Sequence, residues 1–175
     1  MPAARILVLD GHDGSGKSTI AGQLARRLGW AVARPFEGAV SDAFYRCLAS
    51  GEHATLDRIA RSAVDRLGAQ HAGGVVFDRH WLTMLSVLPP SLWPGWLPPP
   101  PTLVCWADPA TTHARVTARG ETRRNSPQAH ALACARFLEL AQRHGASLLD
   151  TSALAPDQAL HALMARHPTL LGPWI

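Results

Sequence analysis

Short apolar runs alternate along the chain with longer stretches in which apolar residues recur every three or four positions. The run Ile6-Leu7-Val8-Leu9 predicts a buried strand over 5–10 that ends at Asp10. Ile20, Leu24 and Leu28 keep a four-residue spacing and predict a helix over about 16–28, with Gly29 as its C-terminal stop. A second strand is expected over 30–34, closed by Pro35, and Glu37-Gly38 opens a loop. Two weaker helical patterns follow over 41–49 and 54–69. Gly73-Gly74 breaks the chain before Val75-Val76-Phe77, a short buried strand ending in Asp78. Residues 81–101, rich in tryptophan and proline, read as one short helix and then an ordered loop. A low-complexity linker is the alternative, and the tryptophans argue against it. Further strands are expected over 102–107 and 147–150, and helices over 109–119, 127–144 and 156–166. Strands alternating with helices in this way predict an α/β fold: five parallel strands in one sheet, flanked by helices in three layers.

Composition changes this picture little. The chain has 175 residues, which makes one domain over 1–175 the expectation and leaves enough surface to bury without disulfide staples. Cys47, Cys105 and Cys134 are odd in number and widely spaced, with no C-x-x-C pair, so neither a zinc site nor a disulfide framework is indicated. Cys105 sits in Leu103-Val104-Cys105-Trp106 and reads as a small buried hydrophobe. A reducing, cytoplasmic setting is expected, with no membrane span and no signal peptide. The formal charge of +4 comes from arginine, because Lys17 is the only lysine. That balance suits an anionic substrate or a nucleic acid and decides between neither.

Charge becomes informative at one place. Gly11-His12-Asp13-Gly14-Ser15-Gly16-Lys17-Ser18 is a complete G-x-x-x-x-G-K-S phosphate-binding loop, set between the first strand and the first helix. Loop amides and the positive helix end converge on phosphate oxygens. Glycines let the backbone wrap closely. Such a loop binds a nucleoside triphosphate, here ATP, through Asp13, Gly14, Ser15, Gly16 and Lys17. Lys17 reaches the β- and γ-phosphates, and the Ser18 hydroxyl ligates Mg²⁺.

Two further clusters extend the site. A phosphate-binding loop needs a carboxylate at the end of a neighbouring strand to hold the metal, and Asp78 is in the expected place. Arg79 follows at the C-terminal edge of the sheet, where a guanidinium can grip a phosphate with two hydrogen bonds. The plainer reading has Asp78 capping the next helix and Arg79 facing water. His80 fits a site lining or a packed core equally well. Arg115, Arg119, Arg123 and Arg124 surround Gly120 and Glu121. Arg115 and Arg119 share a helix face and are candidates to bind ATP, and Gly120 offers a hinge. The segment over about 117–127 therefore reads as a short arginine-rich lid that neutralises charge in the transition state. A solvated basic helix end is the alternative.

Taken together these residues resemble thymidylate kinase and the nucleoside monophosphate kinase superfamily. Residues 9–19 are similar to that family's E/D-G-x-D-G-x-G-K-S/T start. Phe77-Asp78-Arg79-His80 resembles its D-R-Y/H segment, residues 101–109 the strand before the lid, and Arg119-Gly120-Glu121 with Arg123 the bacterial lid. The similarity continues through residues 135–141 and 148–150. It implies a P-loop kinase fold, and it implies that Thr19 helps hold the α-phosphate and that Asp13 reaches the acceptor sugar. It further implies that Asp78 acts on Mg²⁺ and Arg79 on the acceptor phosphate. With no arginine in the loop, the chain resembles the type whose catalytic arginine lies in the lid, at Arg119, Arg123 and Arg124. It also implies a homodimer.

The acceptor side departs from the family. Arg34-Pro35-Phe36-Glu37-Gly38 only partly matches the Arg-Glu-Pro segment, which leaves Arg34 as a substrate candidate. The nucleotide-positioning Phe-x-x-Asp-Arg helix has only Arg58 and Arg61 as loose counterparts. The thymine-reading Tyr-Gln segment is replaced by Trp81-Leu82-Thr83-Met84-Leu85-Ser86. Three functions follow. The first is an ATP-dependent, thymidylate kinase-like phosphotransferase acting on a small nucleotide or nucleoside. The second is a kinase for a hydroxyl on a modified base in DNA, with Trp81, Trp93 and Trp96 as possible stacking surfaces. The third is a non-catalytic ATP-binding regulator.

Overall fold

A computed structural model describes residues 5–71, 73–121 and 126–168. Five strands, β1 (Ile6–Asp10), β2 (Ala31–Ala33), β3 (Val75–Asp78), β4 (Thr102–Trp106) and β5 (Ser147–Asp150), form one sheet in the order β2-β3-β1-β4-β5. Every pairing is parallel. Parallel neighbours need crossovers, and among the described residues seven α-helices supply or follow them: α1 (Lys17–Leu28), α2 (Ala39–Ser50), α3 (His53–Gln70), α4 (Trp81–Val87), α5 (Pro109–Ala118), α6 (Pro127–His144) and α7 (Pro156–Arg166).

Alternation along the strands divides the core in two. Leu7, Leu9, Val76, Leu103 and Cys105 face Ile20 and Leu24 of α1 and Leu163 of α7. Val8, Val75, Phe77 and Val104 face the opposite way, onto Leu56 of α3, Leu82 and Leu85 of α4 and Leu140 of α6. Both faces are covered, so strand residues are apolar almost without interruption.

The helix ends follow local chemistry. Ser126 and Asp108 accept amide hydrogens of Ala129 and Thr111 at 3.2 and 2.9 Å, each with proline at the first helical position. Gly29, Gly51 and Gly145 close α1, α2 and α6 in the left-handed conformation.

Residues 81–101 depart from the expected single helix and loop. After α4 a 3₁₀ helix runs over Pro90–Trp96. Prolines cannot donate, but the bonds from Leu92 N to Pro89 O at 3.0 Å and from Leu97 N to Pro94 O at 3.4 Å need only carbonyls from them. Trp93 and Trp96 anchor this turn in the core formed with α3 and α6.

Candidate functional site

The loop from Gly11 to Ser18 leaves β1 through backbone conformations that glycine adopts at little cost: φ is +143° at Gly11, +82° at Gly14 and +83° at Gly16. A Cβ on Gly14 would stand 2.6 Å from the Thr112 carbonyl oxygen, so the loop is seated directly on α5. Gly16 caps α1 without a side-chain acceptor, which leaves the first-turn amides for an anion. Arg115 and Thr151 brace the loop from behind. Arg115 donates to Gly14 O at 3.2 Å, to Thr151 Oγ1 at 3.2 Å and to Thr151 O at 2.8 Å. The Thr151 hydroxyl donates to Ser15 O at 2.8 Å.

Lys17 is buried in the loop, where its ammonium donates to His12 O at 3.4 Å and lies 3.9 Å from the Asp13 carboxylate. Burial, with the neighbouring Arg79 charge adding to it, lowers its pKa to about 8. Asp78 closes β3 with its carboxylate 5% exposed. Oδ2 accepts from Arg34 Nε at 3.2 Å, and Oδ1 is buried without a partner among the described residues. Arg34 also lies 3.6 Å from Glu37. Lys17, Ser18, Thr19, Asp78, Arg79 and Arg119 line a cleft of about 240 Å³, together with Gly14, Gly16 and Arg34. Arg119 reaches it from the end of α5, paired with Glu121 at 3.1 Å. Arg123 and Arg124, and with them part of the lid expected over 117–127, lie outside the described residues.

Arg79 takes φ +77°, which an L side chain rarely adopts. Its amide donates to Leu9 O at 2.9 Å, and its guanidinium donates to Gly11 O at 3.4 Å and pairs with Asp13. Burial pushes the Asp13 carboxyl upward, but Arg79, Lys17 and Arg119 outweigh it and hold the group below its ordinary range. The chain just beyond Arg79 is held by Asp10, which is fully buried. Asp10 Oδ2 accepts the amides of His80, Leu82 and Thr83 at 3.1, 3.0 and 3.2 Å. Oδ1 accepts the Thr83 hydroxyl at 2.5 Å and Gly11 N at 3.3 Å. One carboxylate thus ties the start of the phosphate loop to the start of α4.

Asp13 and Arg79 also border a second, larger cleft of about 1060 Å³. Its apolar walls are Phe36, Phe44, Val87 and Phe137, and Ser41, Asp42, Arg46, Thr83, Ser86 and Glu121 supply polar groups. The two clefts therefore meet at the Asp13–Arg79 pair.

No protein-family model matches the chain, and no curated protein does. Solved structures match over nearly its whole length. Deoxyadenosine kinase from M. mycoides with bound dATP superposes with a TM-score of 0.66 at 14% identity, over 93% of this chain and 98% of that one. Thymidylate kinase from Candida albicans gives 0.63 at 16%, over 95% and 92%. The YorR protein of Bacillus subtilis, in complex with phosphorylated GDP, gives 0.64 at 15%, over 96% and 97%. This is a nucleotide-kinase-type P-loop fold.

Within the P-loop kinase fold, several expectations about the acceptor side need correction. Trp81, Trp93 and Trp96 are 0%, 6% and 6% exposed, and their indole N–H groups donate to Thr102 Oγ1, Leu88 O and Asp57 Oδ1. They are core anchors and offer no surface for stacking bases. Arg61 does not line the large cleft. It bonds to Asp57 at 2.9 Å and to Gly95 O and lies over Trp96, fastening the 3₁₀ helix to α3. His80 packs edge-on between Phe77 and Trp96, and its burial lowers its pKa to about 4. Sequence reasoning missed Asp10, Thr151 and the cleft residues Phe36, Phe44, Thr83 and Ser86. Asp10 had a signal, as a charged residue closing an apolar strand. Thr83 and Ser86 had a positional one, since they stand where the resembled family carries its base-reading segment. Thr151, Phe36 and Phe44 had none, because small hydroxyls and phenylalanines are common anywhere.

Proposed function

We propose that the protein is a kinase that transfers the γ-phosphoryl group of ATP to a nucleoside or nucleotide. One observation carries this reading: a phosphate-binding loop with a buried lysine opens, at Asp13 and Arg79, onto a second cleft large enough for a nucleoside. A regulator that only bound ATP would have no use for the second cleft. The solved neighbours include a deoxyadenosine kinase and a thymidylate kinase, which supports both acceptor classes.

Phosphoryl transfer asks the protein for positioning and charge neutralisation. Lys17 and the first-turn amides of α1 hold the donor phosphates, and Gly14, Ser15, Gly16 and Thr19 shape their cradle. Arg115 and Thr151 keep that cradle in register. Arg119 lines the same cleft and would neutralise charge on the transferring group. Asp13 stays ionised at neutral pH because of Arg79, Lys17 and Arg119. It can therefore orient an acceptor hydroxyl, while Arg79 can grip an acceptor phosphate. Arg34 holds Asp78 in place from the wall of the phosphate-loop cleft.

The donor set suits Mg²⁺. Asp78 Oδ1 has no partner among the described residues, and Ser18 lines the same cleft. Asp78 and Ser18 would hold the cation there. When bound, the cation neutralises charge on the β- and γ-phosphate oxygens.

The test is incubation with γ-labelled ATP, Mg²⁺ and a panel of nucleosides, monophosphates and DNA. Labelled small-molecule product is expected, and Lys17→Ala lowers its rate by about a thousandfold or more. Full transfer by Lys17→Ala, label on DNA alone, or no transfer to any acceptor would each overturn the proposal.

A further inference from the structure

The α4 wall of the large cleft carries two hydroxyls, Thr83 and Ser86, three residues apart on one helix face. The proton of each is already committed. Thr83 Oγ1 donates to Asp10 Oδ1 at 2.5 Å, and Ser86 Oγ donates to Thr83 O at 2.7 Å. A hydroxyl has one proton and two lone pairs, so what remains for a ligand on this wall is lone pairs alone.

The rest of the polar lining is mixed, because the Ser41 and Tyr45 hydroxyls can donate as well as accept. Asp13, Asp42 and Glu121 add carboxylate oxygens, which only accept. Of the two cations, Arg79 is engaged with Asp13 and Gly11 O, and Arg46 is at the exposed rim. Between these polar edges lie the flat faces of Phe36, Phe44 and Phe137. A cleft with aromatic walls and a lone-pair edge on α4 fits a planar ring that donates a hydrogen bond to that edge.

Nucleobases differ at the exocyclic position that would meet this edge. An exocyclic amino group presents an N–H donor there. Thymine, uracil and hypoxanthine keep a ring N–H but present a carbonyl oxygen at that position, which would face hydroxyl lone pairs without a partner. A site built for a hydrogen-bonding group rejects the analogue that lacks it far more strongly than a merely apolar site does. Resting on the reading that this cleft receives the acceptor, we propose that the acceptor is a nucleoside or nucleotide whose base carries an exocyclic amino group, read by the Thr83 and Ser86 oxygens.

The experiment compares pairs that differ by amino against oxo at one position: adenosine with inosine, cytidine with uridine, guanosine with xanthosine, each as deoxynucleoside and monophosphate. Calorimetry on the protein without ATP measures binding, so the result does not depend on transfer occurring. The amino-bearing member of at least one pair is expected to bind about tenfold or more tightly. Ser86→Ala is expected to bring that ratio down severalfold. Amino-selective binding without phosphoryl transfer would sustain this assignment and overturn the kinase reading. Transfer without amino selectivity would do the reverse. Equal affinity in all three pairs, preference for the oxo member, an unchanged ratio in Ser86→Ala, or no binding of any nucleoside overturns the assignment.

Discussion

Replacing Asp10 asks whether one buried carboxylate joins the two halves of the site. Five donors converge on it: the amides of Gly11, His80, Leu82 and Thr83 and the Thr83 hydroxyl. Asp10 is 0% exposed, so water does not take its place in an Asp10→Ala variant. A buried donor left without a partner costs about 1–3 kcal/mol. The amides of His80, Leu82 and Thr83 share one oxygen and the hydroxyl can rotate, so the penalties do not simply add. The expected loss for Asp10→Ala is about 3–5 kcal/mol, the range seen when one member of a buried charged network is removed. Asp10→Asn keeps a carbonyl where Oδ2 stands, and so keeps the amides of His80, Leu82 and Thr83. Its NH₂ then meets Gly11 N–H, while the Thr83 hydroxyl can turn to accept. That substitution is expected to cost about 1–2 kcal/mol. Urea unfolding followed by tryptophan fluorescence measures both, read as a change in midpoint at constant slope. A loss below about 1 kcal/mol for Asp10→Ala, or equal losses for the two variants, would refute the argument. In Asp10→Asn the acceptor KM should also rise more than the ATP KM, because the strained turn at Arg79 is what the carboxylate steadies.

Lys17 is held at about pH 8 in the free protein against 10.5 for an ordinary lysine, so a bound polyphosphate that restores its charge takes up protons between these values. Calorimetry of nucleotide binding at pH 8.5–9 in buffers of different ionisation enthalpy should show this uptake, and none would refute it. Burial holds His12 and His80 at about pH 4 instead of 6.5. These are depressed values, so their stability contribution is whole above pH 6.5 and is lost as pH falls toward 4, about 3 kcal/mol for each group at the limit. Their imidazole C2 protons should titrate near pH 4 by NMR, and titration near 6.5 would contradict the burial argument. Arg79→Gly relieves about 1 kcal/mol of left-handed strain and loses a partly exposed ion pair, so stability should stay within about 1 kcal/mol while transfer is lost. A large drop in unfolding midpoint would show that Arg79 serves the fold instead. Thr151→Val frees Ser15 O and one Arg115 bond, so the ATP KM should rise about five- to tenfold with the acceptor KM unmoved; a change in the acceptor KM alone would place Thr151 elsewhere.

The donor half was legible because its chemistry runs along the backbone. A glycine at position 14 is required by the Thr112 carbonyl beneath it, and the order strand–loop–helix alone brings the α1 amides to the phosphates. Ser126-Pro127 and Gly145 bracket α6 at the expected residues, and β5 and α7 fall where periodicity sets them. Strand ends were less legible. β2 pairs only over Ala31–Ala33, because as an edge strand it is limited by its one neighbour, β3. The 3₁₀ helix was hidden by its prolines, which signal a break in α-helix and say nothing against i→i+3 bonds whose donors are Leu92 and Leu97.

The acceptor half was not legible because its meaning depends on where protons have gone. Thr83 and Ser86 are ordinary in a sequence, and a hydroxyl can donate or accept. Only when Asp10 is found spending the Thr83 proton, and the Thr83 carbonyl the Ser86 proton, does the wall acquire a sign. Asp10 therefore acts on both sides of the site. It fixes Arg79 where the two clefts meet, and it turns α4 from a neutral surface into a row of acceptors. The same carboxylate that a stability measurement would detect should thus also set which base the large cleft takes. Asp10→Asn allows the Thr83 hydroxyl to turn and frees its proton for a ligand, so its amino-over-oxo preference should fall toward parity even where the fold is retained.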